Sequence, residues 1–586
     1  MSRIIYIAIF ISFLTSVMYA QTDHRFTQEE KQQLPFYNNW RNSQQSNVTS
    51  ILPPSGPVRT IAEWEELQGL MITWKSYTSM LREIVRAARL ETKVFLLYEA
   101  PDNVASITSY LNAGGVDTTN VEFINTPLNS VWCRDFGPWS AYTNDVDTLI
   151  TIDWIYNRPR PDDDAVPITI ANVLGTPLYQ TTTAPWDLVH TGGNFMCDGF
   201  GTGFSSNLIL TDNSIAGGFS VSHTSAEIDT IMSHFMGINR YIKMTTLPYD
   251  AIHHIDMHMK LIDEETLVMG QYPPGIADGP QIEANLQYIL TNYMSCYGTP
   301  YKVIRIPMPP DGGAYPNTTG DYFTYTNSSF INKTLIVPTY NIPQDTTALR
   351  IYRDALPGYK VVGINSLSSI PSLGALHCIT KELATSDPLL ISHQALHNTT
   401  DTINSYTVTA RMQHRTGIAN AYIYYRTDTT QPYLSVPMTS LSSTINYWDG
   451  QIPAQAPGTT VYYYISADAV SGKHQVRPMP APDGYWKFDV LLPTSIEEST
   501  STPLMLAAYP NPSKGITCIP VYLPSSEKVY AELTDVNGRI TSIIFQGILK
   551  GGEQNIFVDT SNLPSGVYFI RVKTENFVQQ QKLIVK

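Results

Sequence analysis

Between residues 58 and 387 short apolar runs alternate with amphipathic stretches. Segments 69–74, 93–98, 121–124 and 149–156 have the length and composition of buried strands, and 80–90 carries apolar residues at helical spacing. This alternation predicts an α/β region. After Pro388 the period changes: 405–413, 419–427 and 459–468 alternate apolar and polar residues between turn signals, which predicts a β-sandwich over 388–492. Residues 493–504, rich in Ser, Thr, Glu and Pro, read as a linker, and 505–586 as a small β-sandwich with tight turns. At the other end, 21–57 is polar up to the Pro53-Pro54-Ser55-Gly56 break and is expected to wrap the first domain as a leader, with regular structure starting near Val58.

Residues 1–20 place Arg3 ahead of an apolar run from Ile4 to Leu14 and the small residue Ala20, the layout of a cleaved secretory signal. That run is too short for the roughly 20 residues a spanning helix needs, so no stable membrane insertion is expected. Composition agrees with export. Charged residues are 15%, Tyr numbers 36, and 37 Lys plus Arg against 51 Asp plus Glu give a net charge of −14. A chain so acidic is a poor partner for nucleic acid, whose binding rests on clustered cations. With 43% hydrophobic and 11% aromatic residues it has ample core material. Five cysteines, Cys133, Cys197, Cys296, Cys378 and Cys518, are too few and scattered for a disulfide framework, and the odd count leaves at least one thiol as a catalytic candidate.

Four islands carry chemistry. Trp132-Cys133-Arg134-Asp135 precedes a Gly137-Pro138 break of the kind that follows a strand. His253-His254-Ile255-Asp256-Met257-His258, read as a strand, puts His254, Asp256 and His258 on one face, where they could also hold zinc. Tyr325-Thr326-Asn327-Ser328 is the third, and Gly374-Ala375-Leu376-His377-Cys378 the fourth, with His377 expected on the strand face opposite Cys378 and therefore in the core. Each has a plain structural alternative: an Arg134–Asp135 surface pair, a turn or glycan role for Asn327, an inert core thiol at Cys378. Together, a thiol, a proton-shuttling histidine and two carboxylates suit attack on a guanidinium carbon. Carboxylates hold that planar cation in two-pronged pairs, and a bound cation lowers the pKa of a neighbouring thiol. Arg158-Pro159-Arg160 could bind a carboxylate, or else pair with Asp162-Asp163-Asp164 in an exposed loop.

The order Trp132-x-x-Asp135, His254-x-Asp256, Asn327 and His377-Cys378 resembles the guanidine-modifying superfamily, most closely the secreted bacterial peptidylarginine deiminases, over roughly residues 58–490. The resemblance implies a five-bladed α/β propeller over 58–387 followed by an immunoglobulin-like domain. It also implies Cys378 as nucleophile, His254 as proton shuttle, Asp135 and Asp256 as guanidinium clamp, and Asn327 as an orienting residue. Trp132 would lie along the substrate stem, and Arg158 and Arg160 would hold the carboxylate of a C-terminal arginine. Implied partners are arginine-containing peptides and proteins; no cofactor, metal or calcium requirement is implied, although the Asp162–Asp164 run could take up an incidental cation. Cys378 is followed by Ile379-Thr380-Lys381-Glu382 instead of the Thr-Gln-Gln run of agmatine deiminases, which argues against agmatine. The motifs Tyr509-Pro510-Asn511-Pro512, Asp535-Val536-Asn537-Gly538 and Leu563-Pro564-Ser565-Gly566 resemble a type IX secretion sorting domain, which implies export to the outer surface or the medium by that machinery. Competing readings are a deiminase of free arginine or agmatine, an amidino transferase, and a non-catalytic surface adhesin.

Overall fold

The computed structural model describes residues 24–44, 52–310 except Pro274, 322–492 except Ser443, and 504–586 except Leu506, Ala507, Pro510 and Asn576. The signal segment and most of the expected linker lie outside the described residues. Two compact units are present, one ending at Leu491 and the other beginning at Leu492.

In the first unit one arrangement recurs five times among the described residues. A short strand pairs antiparallel with a central strand, and the chain then crosses by a helix to a third strand parallel to the centre. The sets are Trp139–Thr143, Leu149–Tyr156, Val166–Leu174 and Leu178–Thr181; then Met196–Cys197, Thr202–Ser206, Ser225–Met236 and Arg240–Met244. Next come Met259–Leu261, Thr266–Gln271, Gly279–Asn292 and Lys302–Pro307, and Ser329–Ile331, Thr334–Thr339, Gln344–Ala355 and Lys360–Asn365. The remaining set is split across the chain. Its central strand Leu67–Thr73, helix Thr78–Ala88 and parallel strand Lys93–Tyr98 come first, and its antiparallel strand Lys381–Ala384 comes last. Central strands such as Leu149–Tyr156 are buried along their whole length, because a helix covers one side and a neighbouring set the other.

Two sequence-read strands, 93–98 and 149–156, match the observed bounds, and the helix read at 80–90 begins two residues earlier. The leader departs from expectation. Instead of structure starting at Val58, Gln28–Gln44 forms a helix. Thr27 and Glu30 exchange side-chain bonds with each other's backbone N–H at 3.2 and 2.9 Å, a capping box that starts it.

Residues 390–489 form two antiparallel sheets, centred on Tyr406–Gln413 and on Thr460–Ala469, that share a core of Val408, Ile423, Ile452, Val461, Ile465 and Phe488. Polar contacts fasten them to the α/β region: Arg411 to Asp145 at 2.7 Å, Lys473 to Glu66 at 2.7 Å, and Arg477 to the Trp64 carbonyl at 2.9 Å. The second unit is likewise two sheets around one core, with its Asp535–Arg539 turn closed by the Asp535 side chain and by Gly538 at φ 78°.

Candidate active site

The site is assembled from equivalent turns. The residues singled out in sequence lie just before the short antiparallel strand of four different sets: Trp132 and Asp135 before Trp139–Thr143, His254 and Asp256 before Met259–Leu261, Asn327 before Ser329–Ile331, and Cys378 before Lys381–Ala384. Gly192–Asn194 holds the same place before Met196–Cys197 and completes the group. Asp135 Oδ1 accepts from Gly193 N–H at 3.0 Å and lies 3.7 Å from His254 Nδ1. A Cβ on Gly193 would fall 2.5 Å from that ring nitrogen, so only glycine lets the two turns meet. Gly374 plays a similar part, passing so close beneath the Trp132 indole that a Cβ would overlap it.

Local conformation differs from the strands expected at two islands. Ile255–Met257 is a 3-10 turn, so His254, Asp256 and His258 do not share a strand face. Adjacent polar residues in a tight turn satisfy alternation without being a strand, which is why the pattern misled. His377–Ile379 is a 3-10 turn too. His377 is buried as expected, yet points to the same group as Cys378: its Nδ1 lies 2.8 Å from Asp256 Oδ2, while the Cys378 thiol lies 3.6 Å from the same oxygen. The Gly137-Pro138 break follows a helical turn, Cys133–Phe136, and a strand comes after it.

Asn327 is fully buried, which removes the glycan and surface-turn readings. Its Oδ1 accepts from the N–H groups of Ala375 and His377 at 3.2 and 3.0 Å, and its Nδ2 donates to Cys378 Sγ at 3.2 Å, fixing the shape of the thiol's turn. Arg134 is no surface partner of Asp135. It is buried, bonds the His377 carbonyl at 3.1 Å, and pairs with Glu382 at 2.6 Å. Lys381, Glu382, Lys260 and Glu63 extend this buried charge lattice, and Glu63 reaches His377 Nε2 at 3.2 Å. Glu63, which sequence reasoning overlooked, braces the ring that holds Asp256.

Burial pushes the Asp135 carboxyl up, but His24, His254 and the Gly193 N–H outweigh it and hold it well below the usual range. The Cys378 thiol is raised well above its ordinary value, by burial and then by the Asp256 and Asp135 carboxylates. Burial also lowers His254 to about 4 and His258 to about 4. Neither ring nitrogen of His258 has a hydrogen-bond partner among the described residues.

Sequence reasoning also missed His24, from the leader. Its ring is buried, stacks on Trp132 at 4.3 Å and bonds Asp135 through Nε2. Arg158 donates to the His24 carbonyl at 3.0 Å, and Arg160 pairs with Glu30 at 2.7 Å. Both arginines are buried, and Asp163 and Asp164 bond elsewhere, to Ser130 and to the Tyr156 N–H, so the exposed acidic-loop alternative does not hold. His24, Asp135 and His254 are close enough to share a metal ion, a set that includes only one of the three zinc ligands envisaged from sequence.

A Legionella pneumophila (strain Paris) protein bearing an agmatine deiminase name is 24% identical over 290 residues, 47% of this chain and 81% of that one. A protein of Latilactobacillus sakei subsp. sakei (strain 23K) with the same name is 21% identical over 364 residues, covering 56% of this chain and 97% of its own. The crystallised C. jejuni agmatine deiminase aligns with a TM-score of 0.45 at 24% identity, over 56% of this chain and 96% of that one. Residues 507–586 match the secretion system C-terminal sorting domain, so the chain is exported, to the cell surface or beyond, and no helix among the described residues is long and apolar enough to cross a membrane. Residues 59–383 match the Porphyromonas-type peptidyl-arginine deiminase model, and the chain belongs to that family, as a deiminase hydrolysing guanidino C–N bonds.

Proposed function

We propose that the protein hydrolyses peptidyl arginine, with preference for a C-terminal arginine, to citrulline and ammonia. One observation carries this: His24 bonds Asp135 through its side chain while its main-chain carbonyl accepts from Arg158. A residue whose side chain bonds Asp135 thus offers its own backbone to an arginine. A substrate carboxylate would meet both Arg158 and Arg160, a complementarity that agmatine, lacking a carboxyl group, would leave unused.

Asp135 and Asp256 clamp the guanidinium, and its positive charge offsets the two carboxylates that raise the Cys378 thiol, so that the nucleophile forms when substrate arrives. The thiol proton passes to His254 as Sγ adds to the guanidino carbon. The C–N bond then breaks as His254 delivers a proton to the departing ammonia, leaving a covalent S-alkylthiouronium. His254 next takes a proton from water, whose oxygen adds to the same carbon, and the C–S bond breaks to return the thiol and release the ureido product. Asn327 keeps the thiol's turn in shape throughout.

The five sets are read as blades of a ring around this site, a five-bladed propeller over 58–387, with residues 388–492 as an immunoglobulin-like brace. The pairing of the last strand, Lys381–Ala384, with the first central strand supports that reading. Agmatine deimination is the second reading, favoured by the names of the curated relatives.

The test measures ammonia and ureido formation on a peptide ending in arginine, the same peptide amidated, free arginine and agmatine, with Cys378→Ala as control. Preference for the free C-terminal arginine, lost in Arg158→Ala/Arg160→Ala, is the expected result. Preference for agmatine would overturn the proposal.

A further inference from the structure

We infer that residues 24–44 are a tethered pseudosubstrate inhibitor that closes the active site until the leader is released. The inference rests on the reading of Asp135 as the guanidinium seat.

His24 Nδ1 lies 2.9 Å from the Leu373 carbonyl and Nε2 bonds the Asp135 carboxylate. Both partners only accept, so satisfying both takes a ring with a proton on each nitrogen. An imidazolium is a planar N–C–N cation, the same charge-delocalised unit a guanidinium presents. Stacked on Trp132 and bonded to Asp135, it reproduces the recognition expected of substrate. It cannot be consumed, because both nitrogens belong to an aromatic ring and neither can depart as ammonia.

The mimicry extends beyond the cation seat. The two arginines assigned to the substrate carboxylate are both engaged by the leader, Arg158 by the His24 carbonyl and Arg160 by the Glu30 carboxylate. Phe26 lies against the Arg158 guanidinium at 5.4 Å. Cation seat, stem contact and both arginines are thus held by one stretch of seven residues, His24 to Glu30.

The segment is attached weakly. Beyond Glu30 the helix docks through a small apolar patch, Leu34 and Tyr37 against Ile155, Val189, Phe219 and Val221. A few polar contacts add to it: Tyr37 to Asp164 at 2.7 Å, Asn38 to the Gly218 carbonyl at 2.9 Å, and Arg41 to the Phe219 carbonyl at 2.6 Å. The helix is polar and carries Pro35 in its interior, which forfeits one backbone bond. A 17-residue helix of this composition has little stability of its own, so order in the leader and occupation of the site stand or fall together.

The test uses the full exported chain with a protease recognition sequence inserted within residues 45–51, compared before and after cleavage and washing. Two rates are read: turnover of the arginine-ended peptide, and alkylation of Cys378 by iodoacetamide, followed by peptide mass mapping. Release should raise both at least tenfold. Added synthetic peptide 24–44 should reverse the gain, and the same peptide carrying His24→Ala should not. In the uncut chain, His24→Ala and Glu30→Gln should each give part of the gain. Faster alkylation reversed by the peptide, without turnover of any substrate, would support the plug while defeating the deiminase substrate reading. Unchanged alkylation after verified loss of the leader would overturn the plug, whatever the turnover.

Discussion

The α/β region and the two-sheet region that follows it fill their interiors differently. Around Cys378 the buried groups include Arg134, Asp135, His254, Asp256, His258, Lys260, His377, Lys381 and Glu382, whereas the core between the two sheets is made of Val408, Ile423, Val461, Ile465, Phe488 and similar residues. Burying charge is costly unless partners are supplied, so the first region must hold a lattice of ion pairs in register, while the second need only pack. Removing one charged partner in the first region should therefore cost stability as well as activity, and truncating an apolar side chain in the second should cost stability alone.

The strongest test is Cys378→Ala. Turnover of every substrate should fall by about 10⁴ or more, and the melting temperature should stay near that of the parent, because a small buried side chain is replaced by a smaller one; residual turnover above that level would break the comparison at its centre. Ile465→Ala should do the opposite, costing about 3 kcal/mol of stability in denaturant titration and leaving kcat/KM unchanged once the protein is folded. In the chain freed of its leader, Arg158→Ala should then lower kcat/KM for a C-terminal arginine peptide by about 10–100-fold, the loss of one charge-assisted contact, with agmatine unaffected; an equal loss on both substrates would make Arg158 part of the general lattice. The smallest effect concerns acid. His258 titrates at about 4 in the folded chain because burial disfavours its charged form, against about 6.5 when unfolded. Between those values the unfolded chain binds a proton that the folded one refuses, so stability falls as pH falls. His258→Gln should remove that loss, gaining on the parent by about 1.4 kcal/mol per pH unit at most below pH 6.5. Urea titrations at pH 7, 6 and 5 would measure it.

What the sequence made legible follows the same division. Periodicity located the strands at 93–98 and 149–156 because they are buried throughout, and alternation located Tyr406–Gln413 because only one face is. The functional islands were found as chemistry but placed on the wrong local structure. Ile255–Met257 and His377–Ile379 are single turns, too short to impose a period of their own. Nor could spacing reveal that the turn at Gly192–Asn194 stands in the same position as those carrying Asp135, His254, Asn327 and Cys378, since its contribution is a backbone N–H. His24 was beyond reach for another reason. It meets Asp135 across 111 positions of chain, although Thr27-Gln28-Glu29-Glu30 does carry the helix-start signal that would have shown the leader to be ordered.

The strand that follows Cys378, Lys381–Ala384, pairs with Leu67–Met71 near the beginning of the α/β region. Contacts so far apart in sequence form late, because the loop-closure entropy falls due before they return anything. The thiol is therefore set in place only when nearly the whole region has been made and its earlier sets have condensed. An exported chain gains from this order of assembly, since a partly folded intermediate does not yet hold Cys378 in its finished turn.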